Sequence, residues 1–98
     1  MNEDTGIRTT VLEEISDLAK KYGLTRVILF GSRARGDYKR TSDIDLAVTG
    51  GNITLFTLDV EDETSTLLSF DVVNLDGSVQ EELRESIERE GRILYEKI

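Results

Sequence analysis

Two short apolar runs decide what this chain can fold into: Arg26–Phe30 (RVILF) and Ile44–Thr49 (IDLAVT). The first is β-branched and apolar enough to make a buried strand. In the second, Ile44, Leu46 and Val48 alternate with Asp43, Asp45 and Ala47. A strand there turns its apolar set toward a core and both aspartates the other way. Neither run approaches the ~20 residues that span a bilayer. The chain must therefore build a sheet and cover it with its own remaining segments.

Those segments are legible. Thr9 or Thr10 to Tyr22 predicts an amphipathic helix, with Val11, Leu12, Ile15, Leu18, Ala19 and Tyr22 at helical spacing and Gly23 at its C-terminal cap. Gly31-Ser32 breaks the first strand, and a short helix or turn follows. Gly50-Gly51 ends the second strand. Ile53 to Leu68 holds Leu55, Phe56, Leu58, Val60, Leu67 and Leu68 between acids and predicts a helix. Phe70–Leu75 (FDVVNL) predicts a third strand with Asp71 near its start. Ser78-Val79-Gln80-Glu81 has the form of a capping box, so a helix is expected from Val79 to Glu90, with Leu83 and Ile87 inward. Gly91 stops it, and RILYE supplies a last strand. The order α-β-turn-β-α-β-α-β implies an α/β (α+β) domain, a small sheet with helices packed against it, spanning 1–98.

Composition narrows the chemistry. Ninety-eight residues make one domain with a modest core. There is no cysteine, hence no disulfide, thiolate nucleophile or zinc–thiolate site. There is no histidine either, so acid–base work falls to carboxylates. Met1 is followed by Asn2, Glu3 and Asp4, the opposite of the cationic start of a signal peptide, which makes the cytoplasm the default location. A net charge of -8 argues against general nucleic-acid binding. That charge is uneven: Arg33, Arg35, Lys39 and Arg40 against Asp37 give a local +3, leaving -11 for the rest.

Two carboxylates at alternate positions of one strand share a face. At about 6 Å they repel by roughly 3 kcal/mol at an effective dielectric near 20. Alone, such a pair reads as two exposed aspartates at a strand start, Gly-Ser as a bare turn, and the basic run as a solvated loop. Asp71 opens another apolar strand in the same manner, so adjacent strands would gather three carboxylates. Three oxygen donors without histidine or cysteine suit a hard cation, magnesium or manganese, rather than zinc. Gly31 lets backbone approach a ligand closely. Ser32 offers a hydroxyl and an N–H to a phosphate, and a helix starting there adds its positive end. Arg33, Arg35, Lys39 and Arg40 are candidate counter-charges for a polyphosphate. Together these are the parts of phosphoryl or nucleotidyl transfer.

The residues GS at 31–32, ten intervening residues, and DID at 43–45 resemble the GSx10DxD signature of the polymerase-β-like nucleotidyltransferases, and the minimal nucleotidyltransferases in particular. The resemblance runs from the leading helix through FDVVNL to EREGRILYE. It implies a small mixed four-stranded sheet with helices packed on it. It also implies that Gly31 and Ser32 hold nucleotide phosphates, that Asp43 and Asp45 bind magnesium, and that Asp71 completes the metal site. Two ions are expected, one on the triphosphate and one held by the three acids, with Asp71 accepting the proton of the attacking hydroxyl. Minimal members are paired with HEPN-domain proteins, toxins that they silence by transferring AMP from ATP to a tyrosine. An alternative is a non-catalytic antitoxin that neutralises its partner by occlusion. Haloacid-dehalogenase-type phosphatases also carry DxD, but after an apolar strand, whereas here RTS precedes and LAV follows. Metal-dependent glycosyltransferases need a much larger domain.

Overall fold

A computed structural model describes residues 5–97; Asn2 and the acidic Glu3 and Asp4 lie outside the described residues. The elements run α1 (Thr9–Lys21), β1 (Arg26–Phe30), α2 (Ser32–Arg35), β2 (Ile44–Thr49), α3 (Ile53–Glu63), β3 (Phe70–Asn74), α4 (Glu81–Glu90) and β4 (Arg92–Glu96). The sheet has the order β3-β2-β1-β4. β1 is antiparallel to both β2 and β4, while β2 and β3 are parallel. The parallel pair needs a crossover, and α3 supplies it.

Period-two alternation sorts the strand residues onto two faces. Val27, Leu29, Ile44, Leu46 and Val48 face α1 and α3, meeting Val11, Ile15, Ala19, Phe56 and Val60. Ile28, Phe30 and Ala47 face the other way and meet Ile87, with Leu83 alongside, on α4. By register, Asp45 and Asp71 lie on this second face. One end of that face therefore carries carboxylates where the other carries apolar side chains.

Two helices differ from their expected bounds. α3 ends at Glu63 instead of running to Leu68, and Thr64 is already extended. The cause is a run of hydroxyl residues that satisfy backbone groups outside a helix. Thr64 donates to the Val60 carbonyl, and both the N–H and the hydroxyl of Ser65 donate to the Glu14 carboxylate of α1. Leu68 still tucks against the core, but Leu67 is fully exposed, and Leu55 and Leu58 point outward. α4 begins at Glu81 rather than Val79, with Gln80 as an N-cap that makes no side-chain bond. The expected capping box does not form. Glu81 and Glu82 in the first turn favour the positive end of the helix instead. Gly91 ends α4 with an ordinary negative φ. Its small size is what matters, since a Cβ there would collide with Ile28 of the sheet.

Among the described residues, no helix is long and apolar enough to cross a membrane. The packing predicts that Ile87→Ala, which empties the sole fully buried position of α4 among the described residues, costs about 2–5 kcal/mol in urea unfolding. Leu67→Ala should stay within about 0.5 kcal/mol.

Candidate active site

The ladder registers build the site. Phe30 is opposite Asp45 on β1 and β2, and Asp45 is opposite Asp71 on β2 and β3. Paired residues share a face, on strands ~4.8 Å apart. Asp43 stands just before β2, one pleat from Asp45. The sheet thus brings the backbones of the three predicted acids to one end of one face. Asp45 is half-buried, while Asp43 and Asp71 are exposed. As their side chains stand, no three acids among the described residues are drawn tightly enough to enclose an ion.

The electrostatics still mark the cluster. Burial, then the negative charges of Asp71 and Asp43, push the Asp45 carboxyl above its usual range, with Arg35 and Arg33 opposing. No hydrogen bond or ion pair among the described residues ends on any of the three carboxylates. An all-oxygen donor set, crowded and unspent on the protein, fits a hard divalent cation.

Gly31 joins this cluster to the predicted phosphate turn. Its φ of 76° and ψ of -157° occupy a region open essentially to glycine. A Cβ at this position would collide with Oδ2 of Asp45. The turn and the half-buried acid therefore touch. Ser32 follows as the first residue of α2, half-buried, its hydroxyl bonded to nothing among the described residues. α2 is a single turn of four residues.

The four cations, expected as one group, are placed in different roles. Arg33 is buried, with 1% of its surface exposed. It donates from Nε and Nη2 to the Ser42 carbonyl (3.1 and 2.9 Å), from Nη2 also to the carbonyls of Arg40 (3.2 Å) and Lys39 (3.4 Å), and from Nη1 to that of Thr5 (2.9 Å). Its guanidinium lies 4.8 Å from the Tyr38 ring centroid. Arg33 thus faces inward as a strut for the loop that ends at Asp43, in place of the ligand-facing position expected of it. The missed signal was the loop itself. Residues 36–43 contain no strand or helix, so their carbonyls need donors from elsewhere. Arg35 faces out and is paired with Glu90 (3.2 Å) and Asp37 (3.4 Å); those bonds, Glu90 first, raise its pKa. Lys39 and Arg40 are exposed, and neither side chain forms an ion pair among the described residues.

A mixed four-stranded sheet carrying a Gly-Ser turn against Asp45, with Asp43 just before the same strand and Asp71 on the next, defines a nucleotidyltransferase. The family described as polymerase beta, nucleotidyltransferase, matches residues 13–98. A Methanocaldococcus jannaschii protein named as a candidate protein adenylyltransferase is 34% identical over 107 aligned positions, covering 97% of this chain and all of the relative. The chain belongs to the polymerase beta nucleotidyltransferase family, as a minimal nucleotidyltransferase. Among solved structures, a chain of a toxin–antitoxin complex with AMP-PNP superposes with a TM-score of 0.70 at 26% identity, over 88% of this chain and 73% of that one. A candidate minimal nucleotidyltransferase superposes with a TM-score of 0.65 at 31% identity, over 83% and 86% respectively.

Two outcomes follow for the free protein. Asp45 binds its proton more tightly folded than unfolded. Its charge thus lowers stability above the folded pKa, and the penalty vanishes below the ordinary carboxylate value near ~3.9. Asp45→Asn should therefore raise Tm by a few degrees at neutral pH, on a scale of ~4–8 °C per kcal/mol. That gain should disappear in melts run at progressively lower pH. Arg33→Met strands several loop carbonyls and should destabilise by about 2–4 kcal/mol. Arg33→Lys should recover only part of this, because one ammonium cannot replace the planar fork.

Proposed function

We propose that residues 1–98 act as one nucleotidyltransferase domain that moves AMP from magnesium-bound ATP to a tyrosine hydroxyl of a HEPN-type partner toxin, as its antitoxin in the cytoplasm. The observation that carries this is the contact of the Gly31 turn with Asp45. It joins a backbone suited to phosphate with an acid suited to metal. The family membership, the adenylyltransferase name of the archaeal relative and the toxin–antitoxin neighbour with AMP-PNP support it.

In this scheme Gly31 and Ser32 receive the triphosphate, and the exposed Lys39 and Arg40 offset its charge, with Arg35 available on releasing Glu90. Asp43, Asp45 and Asp71 would hold magnesium or manganese, two ions in all with one on the triphosphate, which when bound neutralise the negative charge of acids and phosphates together. Arg33 keeps the loop and Asp43 in place. The acceptor oxygen forms its bond to the α-phosphorus, the bond to the bridging oxygen breaks, and pyrophosphate leaves. Asp71, exposed at the start of β3, takes the hydroxyl proton. Alignment and charge compensation supply most of the rate.

Thermal unfolding tests the first half: ATP with magnesium together should raise Tm more than either alone, by an amount that grows with ligand concentration. The second half is read by mass spectrometry of a partner co-produced with the chain. An AMP adduct should appear with the wild type and be absent with Asp43→Asn/Asp45→Asn. Neutralisation of the toxin by that double variant, with no adduct, would establish occlusion in place of catalysis.

A further inference from the structure

β3 is the outermost strand on its side of the sheet, and it carries Asp71. The bonds at the two ends of its ladder fix which way its backbone faces. Ile44 N–H donates to the Ser69 carbonyl, and Leu75 N–H donates to the Val48 carbonyl. In a parallel ladder this turns the peptide groups of Ser69, Asp71, Val73 and Leu75 toward β2, and those of Phe70, Val72 and Asn74 toward the open edge. Two of the edge groups are already occupied. Phe70 N–H donates to Glu61 (3.0 Å), and the Asn74 carbonyl accepts from Gly77 (3.2 Å). Val72 lies between them with its N–H and its carbonyl on the open edge, where no partner among the described residues covers them. Exposed strand edges are ordinarily blunted by charge, proline or a covering segment. Val72 itself is neither charged nor proline and has no covering segment among the described residues, although Asp71 precedes it, and upstream Leu67 is fully exposed.

We infer that the acceptor enters the site as an extended, tyrosine-bearing peptide segment of the partner protein, which adds to the free edge of β3 by pairing with Val72 and so sets its tyrosine opposite Asp71. The inference rests on the AMP-transfer reading and names how its acceptor docks. A residue exchanging both bonds with Val72 in an antiparallel addition puts its neighbour opposite Asp71 in the close pair, with Cα atoms about 4.5 Å apart. Opposite residues share a face, so that neighbour's side chain rises on the side where Asp71 and Asp45 stand. A serine there ends level with Asp71. A tyrosine leaning across one strand spacing of ~4.8 Å brings its hydroxyl over Asp71, one further spacing from Asp45. Glu61, which accepts from Phe70 at the edge, and Asp71 on the strand make the approach acidic, which favours a segment with lysine or arginine at its ends. Backbone pairing with side-chain pockets at alternate positions is an established way to bind extended peptides.

The probe is a set of short synthetic peptides with a central tyrosine between valines and lysines at both ends, incubated with wild-type chain, magnesium and ATP radiolabelled at its α-phosphate. The tyrosine should be labelled. N-methylation of the alternate peptide amides that would face β3 should cut labelling about tenfold, and methylation of the intervening amides should not. Val72→Pro removes an edge-facing N–H without breaking the β2 ladder. It should raise the peptide KM about tenfold and leave the ATP KM and the magnesium–ATP Tm shift unchanged. Labelling indifferent to the methylation pattern overturns edge pairing even if the proline variant misfolds, because that arm uses the wild type. Labelling of no peptide, or only of an RNA oligonucleotide, by a chain that shows the magnesium–ATP shift overturns it too while sparing nucleotide binding. A chain with no such shift overturns the nucleotidyl-transfer reading itself, and the inference with it.

Discussion

Across the β1–β2 ladder Phe30 faces Asp45, so the residue after Phe30 has to turn back over the Asp45 carboxylate. Only glycine fits there, and Gly31 is what the chain supplies. The register is not adjustable. Sliding one strand by a single residue would exchange the two faces of the sheet, burying the aspartate and exposing Leu46. The apolar alternation of β2, present for the sake of the core, is thus also what holds a charged group against a turn. Packing between α1, α3 and the sheet sets the position of the site's most constrained acid.

The crowding this produces opposes folding. Asp45 is half-buried beside two other carboxylates and carries a raised pKa. The fold tolerates that because the opposite face of the same strand is fully packed, with Ile44, Leu46 and Val48 all buried. The packing of one face thus carries the locally unfavourable charge on the other. Arg33 plays the complementary part. A buried cation is normally unfavourable, but here carbonyls of Thr5, Lys39, Arg40 and Ser42 surround it. One side chain thereby stands in for the regular structure that the loop lacks.

Much of this was legible in the sequence because it rests on short-range periodicity. All four strands, the first helix and the candidacy of Asp43, Asp45 and Asp71 follow from alternation, helical spacing and the GSx10DxD spacing. What was not legible depends on partners distant along the chain. The end of α3 is set by Ser65 bonding Glu14, 51 positions earlier. The inward turn of Arg33 cannot be told from the outward turn of Arg35 within GSRARG, because their acceptors, loop carbonyls on one side and Glu90 on the other, lie outside the motif. The apparent capping box at Ser78 failed for the opposite reason: it was a purely local pattern, and the helix starts beyond it.

The Gly-Ser turn and its single helical turn are anchored from both ends of the chain. Arg33 reaches back to Thr5, while Glu90 pairs with Arg35 and Arg92 donates to the Ala34 carbonyl (3.0 Å). As a ribosome releases this protein from its amino end, the acids at β2 and the glycine beside them emerge before α4 and β4. Two anchors of the Gly-Ser turn come only with residues 90 and 92. The turn is therefore fixed only once α4 and β4 are in place, and a chain without those elements holds the signature residues but lacks the contacts that orient their turn.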